Sequence, residues 1–171
     1  MAGNTAKTKQ VIVMRKDLPM NAGKVCAQGS HASLGALLNK NISKDRNKIE
    51  INLEEHEIEW FNDKFTKVVL EATNEKELLK IKKHAEEEGL TVVEIIDAGH
   101  TTFEKPTLTC IAIGPAYKED IDKITRKLQM FKKTSRERLM EKFLIKRIRE
   151  LEKDALGNVE EILEIRKILN S

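Results

Sequence analysis

Three polar side chains stand out in a stretch otherwise made of small residues. Lys24, Gln28 and His31 lie within MNAGKVCAQGSHASLGALL, residues 20–38, where most neighbours are Ala, Gly, Ser or Cys. Their spacing of i, i+4 and i+7 sets an amine, an amide and an imidazole on one stripe of a helix. Such a stripe is costly beside a core unless its groups find partners. Lys24 stands in the first helical turn, against the helix dipole, so it calls for an anion: a carboxylate of the chain or a ligand phosphate. The second polar cluster is DAGHTT, with Asp97, His100, Thr101 and Thr102. If the two segments meet, they form one polar site. Each member also has a plainer reading: Asp97 as a turn former, Thr101 as a loop hydroxyl, His31 as a structural histidine. A metal held by His31, Asp97 and His100 is a further alternative, although it lacks the paired local spacing of zinc sites.

The elements that must position these residues alternate. QVIVMR, residues 10–15, is rich in β-branched residues and reads as a buried strand. KDLPM turns the chain, Asn21 caps the polar-striped helix, and that helix runs to about Leu38. Residues 39–51 read as a loop or a frayed extension of that helix. A second helix is expected over 53–63, capped by Asn52 with Glu55, and with Ile58, Trp60 and Phe61 in the core. Strands follow at 67–72, 90–97 and 107–114, the last stopped by Pro115; amphipathic helices fill the intervals after the second and fourth strands, the latter over 118–131. The fold class is α/β: a four-stranded mixed, mostly parallel sheet with helices on both faces. Ligands bind such sheets outside the carboxyl ends of the strands, so Lys24 and Asp97 share an edge if their strands are parallel.

From Lys132 the composition turns to charged helix formers, with capping boxes at Thr134/Glu137 and Asn158/Glu161. Residues 132–171 are therefore expected to add a C-terminal helical hairpin to a domain spanning 1–131. The hairpin begins basic, with Lys132, Lys133, Arg136, Arg138, Lys142, Lys146, Arg147 and Arg149. A grip on RNA, a solvated helix of internal ion pairs, and a docking surface for a protein or a second copy all fit that pattern.

In 171 residues, 40% are hydrophobic and 35% charged, with a net charge of +3, 3 prolines and 8 glycines. That is a globular chain, and any nucleic-acid contact must come from local patches. Cys26 and Cys110 sit in apolar company and read as reduced, buried thiols. A polar N-terminus and the lack of a membrane-length apolar run point to a cytoplasmic protein. No glycine-rich phosphate loop, nucleophile elbow or CxxC pair is present, and no cofactor is expected.

The combination GK-x-x-A-Q-x-x-HA, in KQVIVMRKDLPMNAGKVCAQGSHASLGALL, with IIDAGHT and TCIAIGP, resembles the archaeal and eukaryotic type of peptidyl-tRNA hydrolase over about residues 9–131. The resemblance implies a three-layer α/β/α sandwich, commonly a homodimer, that cleaves the ester between a peptide and the terminal ribose of tRNA without a metal. It marks Lys24, His31, Asp97 and Thr101 as catalytic, while Arg15, Gln28, His100 and Thr102 are expected to bind substrate. Ester hydrolysis needs a positioned water, an acceptor for its proton and positive charge for the oxyanion. Asp97 or His31 suits the first two tasks, Thr101 can fix Asp97, and Lys24 suits the third or a tRNA phosphate. His100 stands where this family usually carries arginine, and Ala22 where it often carries a base. The alternative is a non-catalytic RNA- or protein-binding member of the same scaffold.

Overall fold

A computed structural model describes residues 7–38, 42–45, 48–100, 102–132, 135–153 and 159–170. It divides into two compact units, residues 1–132 and 133–171.

The first unit is built on β1 (Thr8–Arg15), β4 (Lys67–Ala72), β5 (Val92–Asp97) and β6 (Thr107–Tyr117), in the order β4-β1-β6-β5. β1 pairs with β4 in parallel, with Val13 opposite Leu70, whereas β6 runs antiparallel to both β1 and β5. The sheet is thus mixed, but only one of its three pairings is parallel, which corrects the expectation of a mostly parallel sheet. β1, β4 and β5 do point the same way. The nine-residue link after Asp97 is too short for a crossover, so β6 returns antiparallel to β5. It then enters the sheet between β5 and β1, and both of its pairings are antiparallel.

Alternation along β1 splits the core into two faces. Val11 and Val13 join Leu70, Ile111 and Ile113 under α3 (Glu75–Glu87) and α4 (Lys118–Thr125), whose Leu78, Ile81, Ala85 and Ile121 are buried. Ile12 and Met14, with Cys110 and Ala112, face α1 (Ala22–Leu38) through Ala32 and Ala36. Small residues let α1 lie close: a Cβ added at Gly35 would stand 3.5 Å from Val93. Gln10, on the same face, is fully buried and exchanges hydrogen bonds with Ser33 (Oγ donating to Oε1 at 2.7 Å). Layers of helix on both sides of the sheet make the α/β/α sandwich.

Local expectations meet tertiary corrections elsewhere. Residues 39–51, read as a loop or a frayed extension of α1, contain a hairpin of β2 (Ile42–Asp45) and β3 (Lys48–Ile51). α2 (Glu55–Asn62) is capped by Glu54 with Glu57 in the capping box, not by Asn52 with Glu55. Trp60 is fully buried and donates from Nε1 to Thr66 O at 2.8 Å, but Ile58 and Phe61 are 48% and 43% exposed. β6 passes through Pro115 to Tyr117 across a cis peptide, and α4 ends at Thr125 rather than near 131. In the second unit, α5 (Ser135–Lys153) packs against α6 (Val159–Leu169). Among the described residues no helix is long and apolar enough to cross a membrane.

Candidate active site

Asp97 closes β5, opposite Thr107 on β6, and its side chain is only 9% exposed. Such a carboxylate must be met by donors. Oδ1 accepts the Gly99 backbone N–H at 3.0 Å, closing an Asx turn. Gly99 has φ +86°, and a Cβ there would come within 2.7 Å of the Lys105 carbonyl carbon, so the turn requires glycine. Oδ2 is paired with the ammonium of Lys24 and also accepts Gln28 Nε2 at 2.9 Å.

Both partners come from the first two turns of α1, whose entry is set locally: Asn21 Oδ1 accepts the Lys24 backbone N–H at 2.8 Å, as an N-cap should. One turn on, Gln28 lands on the same stripe as Lys24. The lysine that opposes the helix dipole therefore has its anion, and its Nζ also lies 5.7 Å from the centre of the Phe103 ring. These contacts act on Asp97 chemically. The Lys24 ammonium first, then the Gly99 N–H, hold its carboxyl below the ordinary carboxylate range, with a smaller contribution from His100.

A residue that the sequence reading missed completes the cluster. Thr109, fully buried in β6, donates from Oγ1 to Gln28 Oε1 at 2.7 Å, with Ile95 O also 3.0 Å away. Because Asp97 can only accept, Gln28 must turn its NH₂ toward the carboxylate, leaving its oxygen for a donor. Thr109 supplies that donor. The signal was a buried hydroxyl at an inward position of TLTCIAIG, legible only once β6 is known to lie beside β5.

The other expected site residues fall differently. His100 and Thr102 are exposed in the loop beside Asp97, and Thr101 lies outside the described residues. His31 is exposed on α1 and makes no hydrogen bond or ion pair among the described residues. Arg15 is buried at the end of β1. Its Nε and Nη2 fork onto Asp17 at 3.1 and 2.7 Å, and Nη1 reaches Glu75 at 2.6 Å and Leu108 O at 3.0 Å. Its donors are spent on holding strand ends and the start of α3 together. No three His, Cys, Asp or Glu side chains form a metal-holding group among the described residues.

The two cysteines part company. Cys110 is buried against Gln28 O, and burial pushes its thiol up to about 12. Cys26 is exposed, contrary to the expectation of two buried thiols. It borders an apolar groove of about 720 Å³ between α1, β4 and the aromatic pair Phe61 and Phe65.

A carboxylate kept ionised, an ammonium on it and an amide locked in one orientation can bind a water and face a developing negative charge. With that geometry in view, known proteins are informative. A family model described as "Peptidyl-tRNA hydrolase PTH2" matches residues 8–131. The peptidyl-tRNA hydrolase of Methanocaldococcus jannaschii is 43% identical over 122 residues, covering 71% of this chain and 98% of that protein. That of Haloquadratum walsbyi is 41% identical over 123 residues, covering 72% and 99%. The probable peptidyl-tRNA hydrolase 2 of Dictyostelium discoideum is 37% identical over 123 residues, covering 72% of this chain and 54% of that protein.

Proposed function

The chain belongs to the peptidyl-tRNA hydrolase PTH2 family, and from that premise we propose that Asp97, Lys24 and Gln28 carry its hydrolysis of peptidyl-tRNA. The reaction splits the ester between peptide and tRNA and returns the tRNA to translation. The observation that carries the assignment is the meeting of Lys24 and Gln28 on a single carboxylate oxygen of Asp97.

Asp97, ionised at neutral pH, orients a water and accepts its proton as the water oxygen attacks the ester carbonyl carbon. The carbonyl oxygen becomes an oxyanion, and the Lys24 ammonium is the positive charge beside it. As Lys24 turns to that oxyanion it loosens its hold on Asp97, whose affinity for a proton rises when the proton arrives. Collapse of the tetrahedral intermediate breaks the bond to the ribose oxygen, which takes the proton from Asp97 and leaves as free tRNA. Gln28, fixed by Thr109, keeps Asp97 aimed. His100 and Thr102, exposed beside the carboxylate, face the substrate in this scheme. Arg15 supports the site from behind, and His31 is the competing proton acceptor.

The test is release of the blocked amino acid from N-acetyl-aminoacyl-tRNA by wild type, Lys24→Ala, Asp97→Ala and His31→Ala. Loss of release in the first two variants and its retention in the third are expected. Full release by Lys24→Ala or Asp97→Ala would refute the scheme, and loss in His31→Ala would move the proton to the imidazole. Tight tRNA binding without release in wild type would establish the non-catalytic reading. The homodimer that the resemblance implies is part of this proposal; sedimentation at one-chain mass would remove it.

A further inference from the structure

We propose that the outward stripe of α5, centred on Lys142, Lys146 and Arg149, grips the phosphate backbone of tRNA; the identity of the RNA rests on the hydrolase reading above. At 3.6 residues per turn these three cations fall within an arc of about 60° and rise about 10 Å along the helix. All three are exposed, whereas Leu144 and Ile148, on the opposite arc, are half-buried. In the sequence Arg138 stands four residues before Lys142 and Lys153 four residues after Arg149. Glu150, the acidic residue of α5 whose side chain is described, falls outside that arc.

Three lysines on the helices of the first unit are paired with acids of their own helix. On α3, Lys82 pairs with Glu86 at 3.1 Å and Lys83 with Glu87 at 3.7 Å; on α4, Lys123 pairs with Asp120 at 2.8 Å. That is how a solvated helix gains from its charges. On α5 the i±4 neighbours of Lys142 are Arg138 and Lys146, and those of Arg149 are Ile145 and Lys153. Lys142 and Arg149 make no ion pair among the described residues, and Lys146 reaches Glu150 only at 3.8 Å. Lining up like charges at i, i+4 destabilises a helix by itself. An extended anion offsets that cost, and the anion this enzyme handles is a nucleic-acid backbone, which binds rows of cations with little demand on geometry.

The experiment measures binding of deacylated tRNA to the full chain across a potassium chloride series. Lys142→Gln, Lys146→Gln and Arg149→Gln together should weaken binding at least tenfold at low salt. They should flatten the slope of log K against log salt by roughly 2 to 3, at about 0.7–0.9 for each phosphate no longer neutralised. Turnover at saturating peptidyl-tRNA stays at the wild-type rate while KM rises, and replacing the lysines by arginine keeps the slope. The variant Lys82→Gln, Lys83→Gln, Lys123→Gln removes the same charge from paired positions and leaves the slope unchanged. An unchanged slope in the α5 variant, or an equal fall in both triple variants, overturns the proposal. So does loss of binding to phosphatidylserine vesicles with tRNA binding intact, which would make the stripe a membrane-binding surface. If wild type binds tRNA but releases no peptide, the hydrolase reading fails while the slope still reports on the stripe.

Discussion

Replacing Thr109 by valine tests whether the buried hydroxyl works through Gln28 on Asp97. Valine matches threonine in shape, so the core of β6 keeps its packing and only the hydroxyl goes. Gln28 Oε1, now 2.7 Å from its donor, is left buried without one, and Gln28 as a whole is 5% exposed. An orphaned buried acceptor costs about 1–3 kcal/mol. The amide relieves that cost by turning, and in turning it gives up the 2.9 Å bond to Asp97 Oδ2. If half or more of the penalty is felt where the water is held, kcat/KM falls roughly 3- to 100-fold, at about 1.4 kcal/mol per factor of ten. The assay is hydrolysis of N-acetyl-aminoacyl-tRNA at limiting substrate, with thermal unfolding of each variant alongside. Thr109→Ser, which keeps the hydroxyl, restores most of the rate. In a Gln28→Leu background, Thr109→Val has little further effect, because the two act as a unit. A lower melting temperature with kcat/KM within twofold of wild type would show Thr109 to be a core residue only. Additive losses in the double variant would refute the coupling.

Two further outcomes follow from the electrostatics. Asp97 has its folded-state pKa lowered, first by Lys24 and then by Gly99 N–H, so its contribution to stability is full above the ordinary carboxylate value of about 3.9 and is lost as pH falls through the lower folded value. Urea midpoints measured from pH 6 downward should fall less steeply below pH 4 in Asp97→Asn than in wild type, and parallel curves would contradict the pairing. Cys110, its thiol pushed up to about 12, should resist iodoacetamide at pH 8 in the folded protein while the exposed Cys26 reacts. One labelled thiol is expected when folded and two in urea; two in the folded protein would place Cys110 at the surface.

Much of the site was readable because it is made of short-range geometry. The Asn21 cap and the i, i+4 relation of Lys24 to Gln28 depend only on the helix, and both appear as expected. The anion demanded by a lysine in a first helical turn was found in Asp97, an inference from charge rather than from distance. His31 shows the limit of the same periodicity: at i+7 it lies on the stripe, yet it stands exposed where the helix surface leaves the sheet. Arg15 shows another, since nothing local announces that Asp17 and Glu75 will occupy its guanidinium.

The chain alone determined what its nearest neighbours along the backbone decide: strand and helix periods, the cap of α1, the stripe of polar groups, and a basic row on α5. Only the tertiary structure decided that β6 enters between β1 and β5, and everything depending on that insertion. It leaves one parallel pairing, lays Thr109 beneath Gln28 and seals Cys110. The physical reason is that hydrogen bonds along a helix join residues four apart. Strand order, by contrast, is settled by which faces can be buried together, across separations such as the 81 residues between Gln28 and Thr109.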